Sequence, residues 1–115
     1  MKKVCILLLM ALPFALQFCA HSKKAMAAKV PPKITYIANV QPLMLTNCTP
    51  CHFPPKGNKK PYDTYSSVQG GIDEIIERIQ KNPGERGFMP FKHAKLSDST
   101  IMVYVQWKKD GLLEK

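Results

Sequence analysis

The sequence contains no stretch in which apolar and polar residues alternate as they do along a half-buried β-strand, and no internal repeat or low-complexity tract. Its apolar residues recur instead at helical spacing. We therefore predict an all-α protein. With 115 residues the chain has room for one small domain.

Cysteines are few. Of the four, Cys5 and Cys19 lie near the N-terminus, which leaves only Cys48 and Cys51 for the folded part. These two cannot form a disulfide framework unless they pair with each other. Because a small domain buries only about 60% of the surface of its unfolded chain, a metal or a covalent cofactor would be a useful source of stability here.

Residues 1–27 have the pattern of an export signal. A basic start, Met1-Lys2-Lys3, is followed by an apolar run over residues 4–20, which is short for a transmembrane helix. Three outcomes stay open: cleavage after Ala25-Met26-Ala27 with soluble release, a lipid anchor on Cys19 in the lipoprotein-like box Leu16-Gln17-Phe18-Cys19, or an uncleaved signal that holds the chain at the membrane. Each predicts a periplasmic location, free or membrane-anchored.

Acidic residues are also scarce: eight Asp and Glu accompany 17 Lys and Arg, a formal net charge of +9. Four of the lysines precede Ala28, so cleavage after Ala27 would leave +5. This charge favours an acidic partner protein or an anionic membrane surface. An exported chain argues against nucleic acid as a partner.

Residues 28–33 contain Pro31-Pro32 and predict a stiff tether to a domain over residues 34–115. The first helix is expected over 34–47, where Pro42 either kinks it or begins its second half. Its apolar residues at helical spacing are Ile34, Ile37, Val40 or Gln41, and Met44 or Leu45.

Further along, Asp63 is the expected N-cap of a short turn that ends at Gly70-Gly71, before a helix with four isoleucines over Ile72–Ile79. An irregular loop is expected over 85–95. Ser97 is the expected N-cap of a last helix that stops at Gly111 and carries Ile101, Tyr104, Val105 and Lys108 on one side, with Trp107 nearby.

Cys48-Thr49-Pro50-Cys51-His52 is the motif that carries chemistry. A C-x-x-C-H run is the attachment signature of c-type haem, in which both thiols form thioethers and the histidine binds the iron. A thioredoxin-like redox pair would need β-α-β patterning, which is absent. A zinc site would need two more ligands, and only His93 is obvious.

Met89 is the expected second axial ligand, because it lies well downstream in the irregular loop and Pro90 can stiffen its turn. His93 is the main rival, whereas Met44 and Met102 lie at helical core positions. A backbone carbonyl of residues 54–61 is the expected partner of the second His52 nitrogen.

Two further sets of residues bear on this haem. Polar tips of the aromatic residues can reach its propionates or simply face water, and the candidates are Tyr62, Tyr65, Tyr104 and Trp107. Lysines follow each ligand and can form a positive ring for an acidic redox partner; they are Lys56, Lys59, Lys60, Lys92 and Lys95.

The attachment motif behind a helix, with Met89-Pro90 downstream and a closing helix marked by Ser97, Trp107 and Gly111, resembles the class I cytochrome c family over about residues 34–113. The glycine and aromatic pair usual in that family's first helix is not evident. The resemblance implies a cytochrome c fold of three to four helices, whose first and last helices cross beside one covalent haem c.

The implied function is transfer of single electrons between redox partner proteins rather than catalysis, since two axial ligands leave no open position on the iron. Two alternatives stay open. One is a small-ligand sensor or peroxidase-like enzyme in which Met89 is displaced, and the other is a cytochrome subunit of a larger redox complex.

Overall fold

The computed structural model describes residues 31–115; the predicted signal with Cys19, and residues 28–30 of the predicted tether, lie outside the described residues. A π-helical segment, Tyr36–Val40, runs directly into α1, Gln41–Asn47; α2 is Tyr65–Gln80 and α3 is Asp98–Lys109. No strand occurs between residues 31 and 115, so the prediction of an all-α protein is confirmed for this part. None of these helices is both long and apolar enough to cross a membrane.

The first helix changes its winding just before Pro42. The Gln41 N–H bonds to the carbonyl of Tyr36, five residues back, and Pro42 then occupies the first turn of α1, where its missing N–H leaves no bond unmade. The buried face consists of Tyr36, Val40 and Met44, four residues apart. Ile37 was predicted on that face; this is wrong, because the wider π-helical turn directs it outward, where it is 44% exposed. Of the two alternatives Met44 and Leu45, Met44 is the buried one.

Helix α2 is continuous through Gly70-Gly71, so the prediction of a separate turn ending there is wrong. Its N-cap is Thr64 rather than Asp63: Thr64 Oγ1 accepts from the Ser67 N–H at 3.2 Å, and Ser67 Oγ accepts from the Thr64 N–H at 3.1 Å. Gly71 serves packing rather than termination. A Cβ there would lie 2.5 Å from Tyr62 Cε1, so the missing side chain lets Tyr62 lie against the helix.

Replacing Thr64 with alanine removes this capping box. We expect the free energy of unfolding to fall by about 1 kcal/mol, measured by urea denaturation. Ser66→Ala is the control, because Ser66 is exposed on the same helix and its loss should change stability by no more than about 0.5 kcal/mol. Equal effects of the two substitutions would show that the cap contributes nothing.

Helix α3 begins at the predicted cap, where Ser97 Oγ accepts from the Thr100 N–H at 3.2 Å, and the chain leaves it at Gly111, whose φ is +94°. On its buried side, Trp107 lies 5.8 Å from Tyr36 between ring centroids. An aromatic contact therefore joins the last helix to the first, although the expected glycine and aromatic pair is missing from the sequence.

The C-terminal segment strengthens that junction. The carbonyl of Leu113 accepts from the N–H of Tyr36 at 2.8 Å and from Trp107 Nε1 at 2.8 Å, and the carbonyl of Glu114 accepts from the N–H of Ile37 at 3.1 Å. Free N–H groups at the start of the first helix are thus bonded by the chain that follows α3. The two ends of the described chain hold each other in place.

Candidate functional site

The attachment motif lies at the end of α1. Cys48 continues the helical bonding, with its N–H donating to the Met44 carbonyl at 2.9 Å, and the His52 N–H then returns to the Cys48 carbonyl at 3.1 Å. Cys48 is half-buried, Cys51 is exposed, and no disulfide joins them. Burial raises the pKa of the Cys48 thiol to about 11, opposite to the direction that makes a cysteine a redox nucleophile.

The His52 ring is oriented from both sides. Its Nδ1 lies 2.7 Å from the backbone carbonyl of Lys60, which confirms the prediction of a carbonyl partner in this loop and identifies the residue. Since a carbonyl only accepts, Nδ1 is the donor in this contact, which leaves Nε2 as the ring nitrogen that could bind a metal. The ring of Tyr62 stacks on the imidazole, with centroids 5.1 Å apart and planes at 27°.

The loop after His52 folds back onto the motif. The N–H of Lys59 donates to the Cys51 carbonyl at 3.1 Å, and the N–H of Tyr62 donates to the His52 carbonyl at 2.9 Å. Gly57 makes the return possible, because a Cβ there would lie 2.3 Å from the carbonyl oxygens of Pro50 and Cys51. The backbone of the motif is therefore held by its own following loop.

Two cavities adjoin the motif, with volumes of about 260 and 320 Å³. They share six lining residues: Cys48, His52, Lys59, Ile75, Ile79 and Met89. The structure thus brings the two predicted axial ligands, far apart in sequence, to the walls of the same apolar space. Spaces of about this size between helices are ordinary ligand sites.

The rival ligands are placed differently. His93 lines the second cavity beside Met89, whereas Met44 is fully buried and lines the first cavity. Met102 is 50% exposed and lies on the outer side of α3, away from both cavities, so its predicted core position is wrong. Met89 is the one methionine that lines both cavities among residues 31–115.

Met89 is positioned by its backbone. The residue lies in the irregular loop between α2 and α3, as predicted, and its N–H donates to the carbonyl of Arg78 in the last turns of α2 at 3.1 Å. The preceding Phe88 is buried. The loop is thereby held against α2 at the point where Met89 meets the cavity.

The isoleucine face of α2 is divided between core and cavity. Ile75 and Ile79 line both cavities, while Ile72 and Ile76 pack only in the apolar core. The aromatic candidates divide in the same way. Tyr62 and Tyr104 line a cavity, but the hydroxyl of Tyr65 and Nε1 of Trp107 donate to carbonyls of the C-terminal segment at 2.8 Å.

Four polar residues on one side of the first cavity, here called the Glu74 cluster, are Lys60, Tyr62, Glu74 and Arg78. Glu74 Oε2 accepts from Lys60 Nζ at 2.9 Å and from the Tyr62 hydroxyl at 3.2 Å, and Oε1 accepts from Arg78 Nε at 2.9 Å. Hydrogen bonds from Lys60 and Arg78 lower the pKa of Glu74 to about 2. The sequence reasoning missed this role for Glu74 and Arg78, although their spacing of four beside Ile75 and Ile79 was a usable signal.

This pKa makes stability depend on acid pH. A carboxyl with a pKa near 4.5 when unfolded and about 2 when folded stabilises the fold above pH 4.5, and the contribution disappears as pH falls from 4.5 to 2. Because Glu74 is 39% exposed, solvent screening reduces the effect to about 1 kcal/mol. Over this range we expect wild type to lose about that much more stability than Glu74→Gln, measured by urea titrations at each pH; parallel losses would contradict the assignment.

The predicted lysine ring stays a prediction. Lys59 lines both cavities, Lys60 is paired with Glu74, and Lys95 Nζ donates to Asn82 Oδ1 at 2.9 Å. Lys92 lies 5.4 Å from the ring centroid of Phe91, and Lys56 is exposed.

Two observations on the described residues concern the alternative uses of the cysteine pair. Between residues 31 and 115 no group of three or more His, Cys, Asp or Glu side chains could hold a metal ion, as a zinc site requires. The thioredoxin-like alternative lacks strands there.

The chain matches no protein-family model, no curated protein and no solved structure.

Proposed function

We propose that this protein is a monohaem electron carrier with the fold of the class I cytochromes c. The observation that carries the proposal is the convergence of Cys48, His52 and Met89 on one apolar space. In the C-x-x-C-H motif, Cys48 and Cys51 supply the two thiols for covalent attachment. The residues present therefore fit a haem c.

Each element of the site has a defined task in this proposal. The Lys60 carbonyl holds His52 with Nε2 free to bind iron, and the Arg78 carbonyl holds the loop from which Met89 provides the second ligand. Ile75 and Ile79 exclude water from the cavity walls. A haem held by these residues would supply reversible one-electron chemistry, and ligation by His52 and Met89 would raise its potential.

Attachment of c-type haem takes place outside the cytoplasm, which agrees with the predicted export signal on residues 1–27. We place the protein in the periplasm, free or anchored at the membrane. Lysines near both ligand loops, including Lys59 and Lys92, suit a redox partner with an acidic docking surface. A rate of electron transfer that does not change with ionic strength would remove this part of the proposal.

The test is expression of the full chain with a cytochrome c maturation system. Wild type should retain haem after denaturation, Cys48→Ser or Cys51→Ser should retain it through a single thioether with a shifted spectrum, and the double variant should lose it. If wild type holds no covalent haem, the proposed function is wrong.

A displaceable sixth ligand is the second candidate, and one observation favours it: His93 is exposed and lines the second cavity beside Met89. In a small-ligand sensor or peroxidase-like enzyme, Met89 would leave the iron readily. Rapid binding of carbon monoxide to the reduced wild-type protein would support this candidate, whereas failure to bind it would support the electron carrier.

A further inference from the structure

Two loops carry the proposed axial ligands, and both are bonded to the same few atoms of α2. The His52 loop reaches α2 through Lys60: its carbonyl holds His52 Nδ1 at 2.7 Å, and its ammonium lies 2.9 Å from Glu74 Oε2. Tyr62, which stacks on His52, donates its hydroxyl to the same oxygen at 3.2 Å. Glu74 is therefore linked to His52 in two ways, once through Lys60 and once through Tyr62.

The Met89 loop reaches α2 through Arg78. The carbonyl of Arg78 accepts from the Met89 N–H at 3.1 Å, and the guanidinium Nη1 of Arg78 donates to the Gly87 carbonyl at 3.4 Å. The other side of the guanidinium is held by Glu74 Oε1, at 2.9 Å from both Nε and Nη2. Oε2 of Glu74 is thus bonded toward the His52 loop, and Oε1 is bonded toward the Met89 loop.

We infer that Glu74 is a positioning residue that holds the His52 and Met89 loops at a constant separation across the cavity. This inference rests on the proposed function, because only a metal bound between the two loops makes their separation matter. Glu74 does not touch a ligand itself; it acts through Lys60, Tyr62 and Arg78. Bonds to an ionised acceptor are the strong kind, and the carboxylate can accept from both sides at once.

Two substitutions of Glu74 separate the effect of its side-chain length from the effect of its charge. Glu74→Asp keeps the charge but is one methylene shorter, so it cannot bridge Lys60 and Arg78 together. Glu74→Gln removes the charge. Asp73→Asn is the matched control: it makes the same charge change one residue away, at a side chain that is 78% exposed and pairs with Lys108 at 2.5 Å.

The first readout is the affinity of the ferric protein for imidazole, which competes with Met89 for iron. A positioning role predicts roughly tenfold tighter binding in both Glu74→Asp and Glu74→Gln, the factor expected for loss of about one charge-assisted hydrogen bond. Asp73→Asn should bind imidazole as wild type does. If Glu74→Asp behaves as wild type, only the charge matters and the inference is wrong.

The second readout is amide hydrogen exchange measured by NMR in the same four proteins. The N–H groups of Met89 and Tyr62, bonded to Arg78 and His52, should exchange roughly tenfold faster in both Glu74 variants, while that of Ile101 at the start of α3 should be unchanged. Uniform acceleration would indicate general destabilisation and overturn the inference. If wild type takes up no haem, the proposed function fails, but the exchange rates still decide whether Glu74 holds the loops.

Discussion

In the proposed haem protein, replacing Met89 with alanine is expected to abolish the methionine-to-iron charge-transfer band of the oxidised state and to let carbon monoxide bind the reduced state. The reason is geometric: Met89 lines both cavities and faces the space that His52 also lines. Alanine has no donor atom, so the sixth position becomes open. We expect the potential to fall by about 0.1 V or more, a fraction of the ~0.8 V range that axial ligands span.

Two variants, Met102→Ala and His93→Ala, serve as comparisons. Met102→Ala is the matched control, because Met102 is 50% exposed and lines neither cavity; its charge-transfer band and potential should equal those of wild type. His93→Ala should also keep the band. Absence of the band from wild type, with a spectrum that changes in His93→Ala and does not change in Met89→Ala, would make His93 the ligand.

Replacing Gly57 with alanine is expected to disrupt the loop that holds the attachment motif. A Cβ at this position would lie 2.3 Å from the carbonyl oxygens of both Pro50 and Cys51, and backbone atoms cannot move aside as a flexible side chain can. We expect a loss of about 3 kcal/mol in the free energy of unfolding, the upper end of overpacking effects, and a lower yield of covalent haem. Urea denaturation and the haem content per chain measure the two effects.

Gly70→Ala provides the contrast. A Cβ at Gly70 would meet no atom within 4 Å, and the residue is exposed inside α2. Alanine should therefore raise the free energy of unfolding by about 0.5–1 kcal/mol, because it reduces the freedom of the unfolded chain and favours the helix. A Gly57→Ala protein as stable as Gly70→Ala would mean that the returning loop does not pack on the motif as described.

The elements that sequence reasoning predicted well depend on interactions between close neighbours. The Ser97 cap is made with Thr100, three residues away, and the irregular loop around Met89 follows from its glycines and prolines. For His52, the sequence predicted a backbone carbonyl of residues 54–61 as the partner without identifying the residue, because the loop after the motif has to pass beside the ring. Which carbonyl it is depended on how the loop folds over Gly57.

The errors have tertiary causes. Gly70-Gly71 was expected to end a turn, yet Gly71 is needed where Tyr62 packs against a continuous α2. Ile37 was expected inside, yet the π-helical winding before Pro42 turns Tyr36 toward Trp107 instead. In both cases a contact with a residue outside the local pattern decided the outcome.

By itself, the sequence predicted the chemistry: C-x-x-C-H at residues 48–52 is the pattern of covalent haem attachment, and helical periodicity predicted an all-α protein. Only the tertiary structure decided that Met89 and His52 line one cavity and that Glu74 is bonded toward both of their loops. The physical reason is the separation along the sequence between the residues that interact. Motifs, caps and periodicities are set within a few residues, whereas the meeting of two loops depends on how helices and side chains pack across the whole domain.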